Sequence, residues 1–189
     1  MAAPALVLKA AASILAYYGI EGKTMDVTKL FAFSNCSLLT QSTEAIPQGS
    51  YKEQQETEGE GTVSTYVPFR NGLFLSAAAS LALSLDCGYI YYGAHSDDAA
   101  GNAYPDCTEH FYKSMGDAIF EGSGKECSLE APFINHNKAD VVKEGLRLGV
   151  PYHLTWSCYE GGDKPCGHCG TCIDRAKAFH ANGVEDPAL

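Results

Sequence analysis

Apolar and polar positions along the chain follow two periods, one typical of helices and one typical of strands. Helical spacing predicts helices near the N-terminus, over 72–85, from about residue 108, over 137–148, and from about 172 to 183. Asn71 and Asn137 are the predicted N-caps of two of these helices, and Gly149 is predicted to end the second of them. The N-terminal helix is expected to bury one face, because Lys9 interrupts an apolar run too short to span a membrane.

Short β-like runs lie between the helical segments. The predicted strands cover 24–27, 89–92, 129–133 and 153–156. Strands that alternate with amphipathic helices are typical of βα units, so we expect an α/β fold with a parallel sheet. Residues 40–65 are polar and rich in Glu, Gln, Gly and Ser, which predicts a long loop that is either disordered or a lid.

Length and charge limit what the chain can be. With 189 residues and 46% hydrophobic content, it is long enough for one domain over 1–189 and short for two. Its 23 acidic and 13 basic side chains give a net charge of −10, which repels a phosphate backbone. We therefore expect neither nucleic acid nor membrane as a direct partner.

The C-terminal part carries four cysteines in the pattern C-x7-C-x2-C-x2-C, formed by Cys158, Cys166, Cys169 and Cys172. Residues 157–183 are therefore the predicted metal-binding element of the domain. Four thiolates on a turn rich in Gly and Pro can surround one ion as a tetrahedron, the geometry of structural zinc sites. Such a site has no open position for water, which predicts a structural metal.

Two other interpretations of this cluster stay open. An iron–sulfur centre also takes four thiolates, although its commonest short pattern has the extra cysteine downstream instead of upstream. A disulfide or a thioredoxin-like redox pair would use one C-x-x-C, whereas here three cysteines follow in series. The other cysteines, Cys36, Cys87, Cys107 and Cys127, are scattered singly, which favours reduced thiols and a cytoplasmic protein.

Four separated segments carry a family resemblance. They are Val67-Pro68-Phe69-Arg70-Asn71, then GAHSDDAAGNAYPDC at 93–107, then Asn137-Lys138-Ala139, then the four-cysteine turn. Their order resembles that of the 7-cyano-7-deazaguanine synthases of queuosine biosynthesis. The resemblance extends over nearly the whole chain, and four motifs in order are more specific than any one alone.

The resemblance implies a fold and a reaction. The fold is a doubly wound parallel sheet of the adenine-nucleotide α-hydrolase (Rossmann-like) type, which binds ATP at the carboxyl ends of its strands. In the reaction, ATP activates the carboxylate of 7-carboxy-7-deazaguanine, ammonia forms the amide, and activation of the amide oxygen yields the nitrile. ATP with Mg²⁺ is thus implied besides zinc, and homodimers are common in families of this kind.

The resemblance also implies roles for residues that match its motifs. Lys138 stands where related ATP pyrophosphatases place a lysine on the nucleotide phosphates. Arg70 can pair bidentately with a phosphate or with the substrate carboxylate. Asn71 is expected either to contact the nucleotide or substrate or only to cap its helix.

The loop after the strand at 89–92 supplies further candidates. Asp97, Asp98 and Asp106 are expected to recognise the guanine-like edge of the base or to hold Mg²⁺. Tyr104 and Asp106, within the Tyr-Pro-Asp-Cys element, are the preferred pair for substrate binding. None of the six histidines shows paired metal spacing, and none is expected to be catalytic.

One family element does not occur in these 189 residues. The family opens with a strand and a Ser-Gly-Gly-x-Asp-Ser loop that cradles the pyrophosphate of ATP. We therefore expect a sheet without its first strand. A second interpretation also stays open, in which the chain is a catalytically inactive, zinc-stabilised module that binds the deazapurine.

Overall fold

The chain alternates helices with short strands. The computed structural model describes residues 3–50, 53, 54, 56, 59 and 61–188, so the predicted 40–65 loop is described only in part. In chain order the helices and strands are α1 Ala3–Tyr18, α2 Arg70–Ser84, β1 Tyr89–Tyr91, α3 Ser96–Ala99, α4 Glu109–Gly122, β2 Ser128–Glu130, α5 Lys138–Leu148 and α6 Gly170–Ala181. No helix among the described residues has the length and apolar character needed to cross a bilayer.

The two strands pair in parallel, as the βα pattern predicted. Ile90 of β1 lies opposite Leu129 of β2, and both side chains are buried. They join Leu75 of α2 and Ile119 of α4 in one apolar cluster, so helices pack against the sheet. Burial of each such side chain stabilises the fold by about 1.5–3 kcal/mol. The α/β class with a parallel sheet is confirmed.

The strand predicted at 24–27 is wrong. The backbone there is irregular and leads into a 3-10 helix at Thr28–Phe31. The Asp26 carboxylate accepts hydrogen bonds from the Thr28 N–H at 2.9 Å and from its hydroxyl at 2.6 Å. This local bonding competes with a strand ladder for the backbone.

The strand predicted at 153–156 is also wrong, because Tyr152–Leu154 forms a 3-10 helix. The Arg175 guanidinium donates to the Tyr152 carbonyl at 3.3 Å and to the Thr155 hydroxyl at 2.7 Å. It also binds both carboxylate oxygens of buried Asp186, at 2.5 and 2.9 Å. Arg175 therefore links this segment to the C-terminal residues. The Tyr152 carbonyl accepts a hydrogen bond from this side chain and not from the backbone of a neighbouring strand.

The starts of α4 and α5 and the end of α5 follow local side-chain chemistry. Asn137 and Asp140 form a reciprocal capping box at the start of α5, and Gly149 ends that helix with φ +69°. The Thr108 hydroxyl accepts the Phe111 N–H at the start of α4. Asn71 is not an N-cap: α2 begins at Arg70 and Phe69 occupies the cap position.

The N-terminal helix exists as predicted, but its packing is weaker than expected. Leu6, Ala10 and Ile14 are half-buried along one stripe, and no side chain at 5–18 is fully buried. Leu8 keeps 60% of its surface exposed. The expectation of a buried helix face is thus met only in part.

Gly145 makes a close approach that another residue would block. A Cβ at this position would lie 2.0 Å from the Tyr152 hydroxyl oxygen, and Tyr152 packs edge-on against Phe179 at 4.9 Å. Gly145 therefore lets α5 approach the Tyr152–Leu154 segment closely.

We expect Gly145→Ala to lower the free energy of unfolding by about 1–3 kcal/mol, because the added methyl overpacks this contact. Gly116→Ala is the matched control, since a Cβ there meets nothing closer than 3.8 Å. The control should raise the free energy of unfolding by up to about 1 kcal/mol through helix propensity. Urea denaturation of both variants measures the two effects, and changes of the same sign would contradict the packing argument.

Candidate functional site

The loops that follow β1 and β2 meet at the carboxyl edge of the sheet. Ser96 donates from its backbone N–H and from its hydroxyl to the His136 carbonyl, at 2.8 and 2.9 Å. The Lys138 N–H donates to a carboxylate oxygen of Asp97 at 2.8 Å. Two motifs separated by about forty positions along the chain are therefore joined by three hydrogen bonds.

The start of α5 binds side chains of the chain itself through its backbone N–H groups. Asp97 accepts the first N–H of the helix, and the Asn137 side chain accepts the Asp140 N–H at 2.9 Å. A negative group is stabilised there by the helix dipole and by N–H groups that the helix itself leaves unpaired. The structure therefore brings together Asp97 and Lys138, two residues predicted for the site.

His95 is a residue of this site that sequence reasoning did not select. Its side chain is buried, and its Nε2 lies 3.4 Å from a carboxylate oxygen of Asp98. Within the described part of the chain, its Nδ1 is the buried side-chain polar atom that has no hydrogen-bond partner. Burial lowers the pKa of His95, and the nearby Asp98 carboxylate opposes this shift. Burial therefore favours the neutral imidazole, and one ring nitrogen is left for a partner.

The signal that could have found His95 is its position. It follows the carboxyl end of β1 by only a few residues, where parallel sheets place their binding residues. A search for histidines paired at metal-ligand spacing does not detect a single buried histidine after a strand.

A second group of predicted residues surrounds the start of α2. The buried Asp106 carboxylate accepts the Asn71 N–H at 2.9 Å. The Asn71 amide donates to the Asp106 carbonyl at 3.4 Å, and its oxygen accepts from two nitrogens of Arg70, each at 3.4 Å. Cys107 lies beside the Asn71 amide, and burial raises the pKa of this thiol to about 11. Asp106 and Asn71 thus position the half-buried Arg70 guanidinium.

Tyr104 links this region to the cysteine turn. It is buried, and its hydroxyl lies 2.5 Å from the Thr65 hydroxyl and 3.4 Å from that of Tyr159. Its backbone N–H donates to the Asp98 carbonyl at 3.1 Å. The 93–107 loop therefore contacts the α5 end through Asp97, the α2 end through Asp106 and the cysteine turn through Tyr104.

The four cysteines of the C-terminal turn converge. The sulfur atoms of Cys158, Cys166, Cys169 and Cys172 all lie within 4.8 Å of one another. The Cys166 and Cys172 sulfurs are 4.0 Å apart. Tetrahedral zinc with Zn–S bonds of about 2.3 Å sets its sulfurs about 3.8 Å apart, so the donor set fits a tetrahedral ion.

Backbone N–H groups of the turn point at two of the sulfurs. The Cys166 N–H points to the Cys158 sulfur and the Cys169 N–H to the Cys166 sulfur, each at 3.3 Å. Burial opposes ionisation of Cys169, but the Tyr159 backbone N–H and the Thr171 hydroxyl lower its pKa to about 7. The four converging sulfurs could hold a metal ion. His168 lies outside the cluster, and its ring contacts Gln48 instead.

Residues within the predicted 40–65 loop pack on this turn. Gln48 forms a β-bridge with Cys169, and the Gly49 N–H donates to the His168 carbonyl at 3.3 Å. The Gln48 amide also donates to Glu160 at 3.1 Å. The cysteine turn thus holds residues far away in the sequence as well as its own backbone.

Comparisons with known proteins agree with the motifs. A 7-cyano-7-deazaguanine synthase of Caldicellulosiruptor saccharolyticus is 44% identical over 168 residues, covering 89% of this chain and 71% of the relative. The synthase of Archaeoglobus fulgidus is 41% identical, covering 87% of this chain and 66% of the relative. The synthase of Marinobacter nauticus is 38% identical, covering 95% and 77%.

A family model described as queuosine biosynthesis protein QueC matches residues 5–183. This match contains all four motifs and both groups of site residues, and it confirms the resemblance seen in the sequence. The chain therefore belongs to the family of the queuosine biosynthesis protein QueC.

Proposed function

We propose that this chain takes part in the ATP-dependent conversion of 7-carboxy-7-deazaguanine and ammonia to 7-cyano-7-deazaguanine. The observation that carries the proposal is the meeting of the two strand-end loops, which brings Asp97 to Lys138 at a helix N-terminus. The names of the relatives support the same activity. A doubly wound sheet of the adenine-nucleotide α-hydrolase type would bind ATP at this edge.

Lys138 and the start of α5 are proposed to bind the nucleotide phosphates. The helix end already accepts one carboxylate, that of Asp97, and a phosphate has the same charge preference. Asp97 and Asp98 supply carboxylate oxygens, the ligands that Mg²⁺ prefers, beside this position. Mg²⁺ bound there would neutralise charge on the phosphates.

Arg70 is proposed to bind the substrate carboxylate or a phosphate. Asn71 and Asp106 hold its guanidinium from the α2 side, so its orientation is set before a ligand arrives. Direct substrate contact by Asn71, Tyr104 and Asp106 stays a prediction. Their burial supports a role in shaping the loop that carries Asp97 and Asp98.

The chemistry explains why ATP is needed. A carboxylate oxygen and an amide oxygen are poor leaving groups until they carry a phosphoryl or adenylyl group. Ammonia can then displace the activated carboxylate oxygen, and the activated amide oxygen can leave as the nitrile forms. The residues of this chain contribute orientation and charge neutralisation.

We propose zinc as the ion of the four-cysteine turn, in a structural role. Four thiolates complete a tetrahedron and leave no position for water or substrate. The domain is proposed to extend over 1–189 with residues 157–183 as its metal-binding element. Singly scattered cysteines support a cytoplasmic protein, and we propose a homodimer without direct nucleic-acid contact.

Lys138→Met should lower kcat/KM for ATP about 10- to 100-fold, because hydrogen bonds to charged groups contribute about 1.5–3 kcal/mol. Lys143→Met is the control: it removes an exposed lysine of the same helix and should leave kcat/KM unchanged. Nitrile formation from 7-carboxy-7-deazaguanine, ATP and ammonia is the measurement. Deazapurine binding without turnover by the unmodified chain would contradict the enzymatic proposal and favour the inactive binding module.

Cys169→Ser should abolish stoichiometric zinc and lower the melting temperature, since metal binding stabilises only the folded cluster. Cys87→Ser, which changes an exposed cysteine outside the cluster, should keep about one zinc per chain. Elemental analysis and thermal unfolding of both variants report the two effects. Iron with inorganic sulfide in the unmodified protein would contradict the zinc assignment.

A further inference from the structure

Phe69 adopts a backbone conformation that is costly for its side chain. Its φ of +54° and ψ of 25° lie in the left-handed region. The other described non-glycine residues with positive φ are Asp86, Asn102 and Lys125. Asp and Asn tolerate this region through local hydrogen bonds, whereas a bulky aromatic residue is strained there. Glycine would take this backbone conformation without strain. Phenylalanine at this position therefore destabilises the backbone locally, and a strained residue of this kind is retained where its side chain has a role.

The surrounding residues hold Phe69 in place. Its backbone N–H donates to the Tyr66 hydroxyl at 2.8 Å. Its ring lies over Gly72, where a Cβ would come within 2.3 Å of the ring carbons. Phe111 meets the ring edge-on, with centroids 5.9 Å apart and planes at 89°. The ring is thus fixed in one orientation by neighbours that leave room for it.

The same ring remains open to solvent, with Phe69 keeping 57% of its surface exposed. It immediately precedes Arg70, whose guanidinium Asn71 orients through two contacts of 3.4 Å. A fixed, exposed aromatic ring on the residue directly before an oriented guanidinium suits a planar heteroaromatic ligand that carries a negative group. A ring whose only role was to pack against the protein would be buried, whereas Phe69 is exposed.

We propose that Phe69 is a stacking platform for a purine-like ring at this site. The inference rests on the proposed function, because both 7-carboxy-7-deazaguanine and ATP combine a planar base with an anionic group. Arg70 binds the anionic group while the base stacks on Phe69. The strained conformation is retained because it presents the ring to the ligand instead of to the core.

Phe69→Gly separates this role from a structural one. Glycine relieves the strained φ, so the melting temperature should stay the same or rise. Binding of one ligand, the deazapurine or ATP, should weaken about 10- to 100-fold, as expected for the loss of one aromatic stacking contact. KM for that ligand should rise in proportion while kcat changes little. Phe69→Trp, which keeps an aromatic ring at this position, should bind that ligand as the unmodified chain does. Calorimetric titration with each ligand separately identifies which base stacks.

Phe74→Ala is the matched control, since Phe74 is an exposed aromatic residue of the same helix that contacts Phe31 edge-on at 6.3 Å. This control should bind both ligands as the unmodified chain does. Unchanged binding of both ligands by Phe69→Gly, in a chain that turns over, overturns the platform alone. A lowered melting temperature without recovery by Phe69→Trp also overturns it, as does a change of oligomeric state with normal binding. Failure of the unmodified chain to bind either ligand overturns the platform and the proposed function together.

Discussion

The parallel pairing of β1 with β2 is the constraint on which the site depends. Only three residues of each strand take part, yet the pairing places both following loops at one edge of the sheet. Hydrogen bonds from Ser96 to His136 and from Lys138 to Asp97 then fix the loops to each other. Without the pairing of Ile90 with Leu129, these contacts would have to hold two mobile loops against their full conformational entropy.

A second level of organisation comes from two carboxylates of the 93–107 loop, one buried and one exposed. Asp106 binds the start of α2 and Asp97 binds the start of α5, so one loop orients two helix ends. The residues with the deepest burial are therefore positioning residues, whereas Arg70, Asp98 and Lys138 keep part of their surface accessible. This division suits catalysis by orientation, in which the groups that touch ligands are held by groups that do not.

The sequence predicted those features that depend on neighbouring residues. Asn137 and Gly149 were predicted to have local roles at helix ends, and the structure confirms them. The spacing of the four cysteines likewise predicted that their side chains meet at one point, and their sulfurs converge. The strands at 24–27 and 153–156 were mispredicted because apolar content cannot show whether a pairing partner exists. In the first segment the Asp26 carboxylate binds the Thr28 N–H, and beside the second the Arg175 guanidinium binds the Tyr152 carbonyl.

His95 and Phe69 show a different limit of sequence reasoning. An imidazole with one unpaired nitrogen and a phenylalanine at positive φ are properties of tertiary structure, and residue type alone does not reveal them. Asn71 is a related case, since its residue type suits an N-cap, whereas in the structure it lies two residues past the cap position and its N–H binds Asp106.

The hydroxyl of Tyr104 has a consequence for how the protein can change in evolution. It contacts the hydroxyls of Thr65 and Tyr159, which belong to the segment before α2 and to the cysteine turn. Loss of the hydroxyl at any one of these positions removes a hydrogen-bond contact in a largely buried place. The three positions are therefore coupled, and we expect their residues to covary among related proteins.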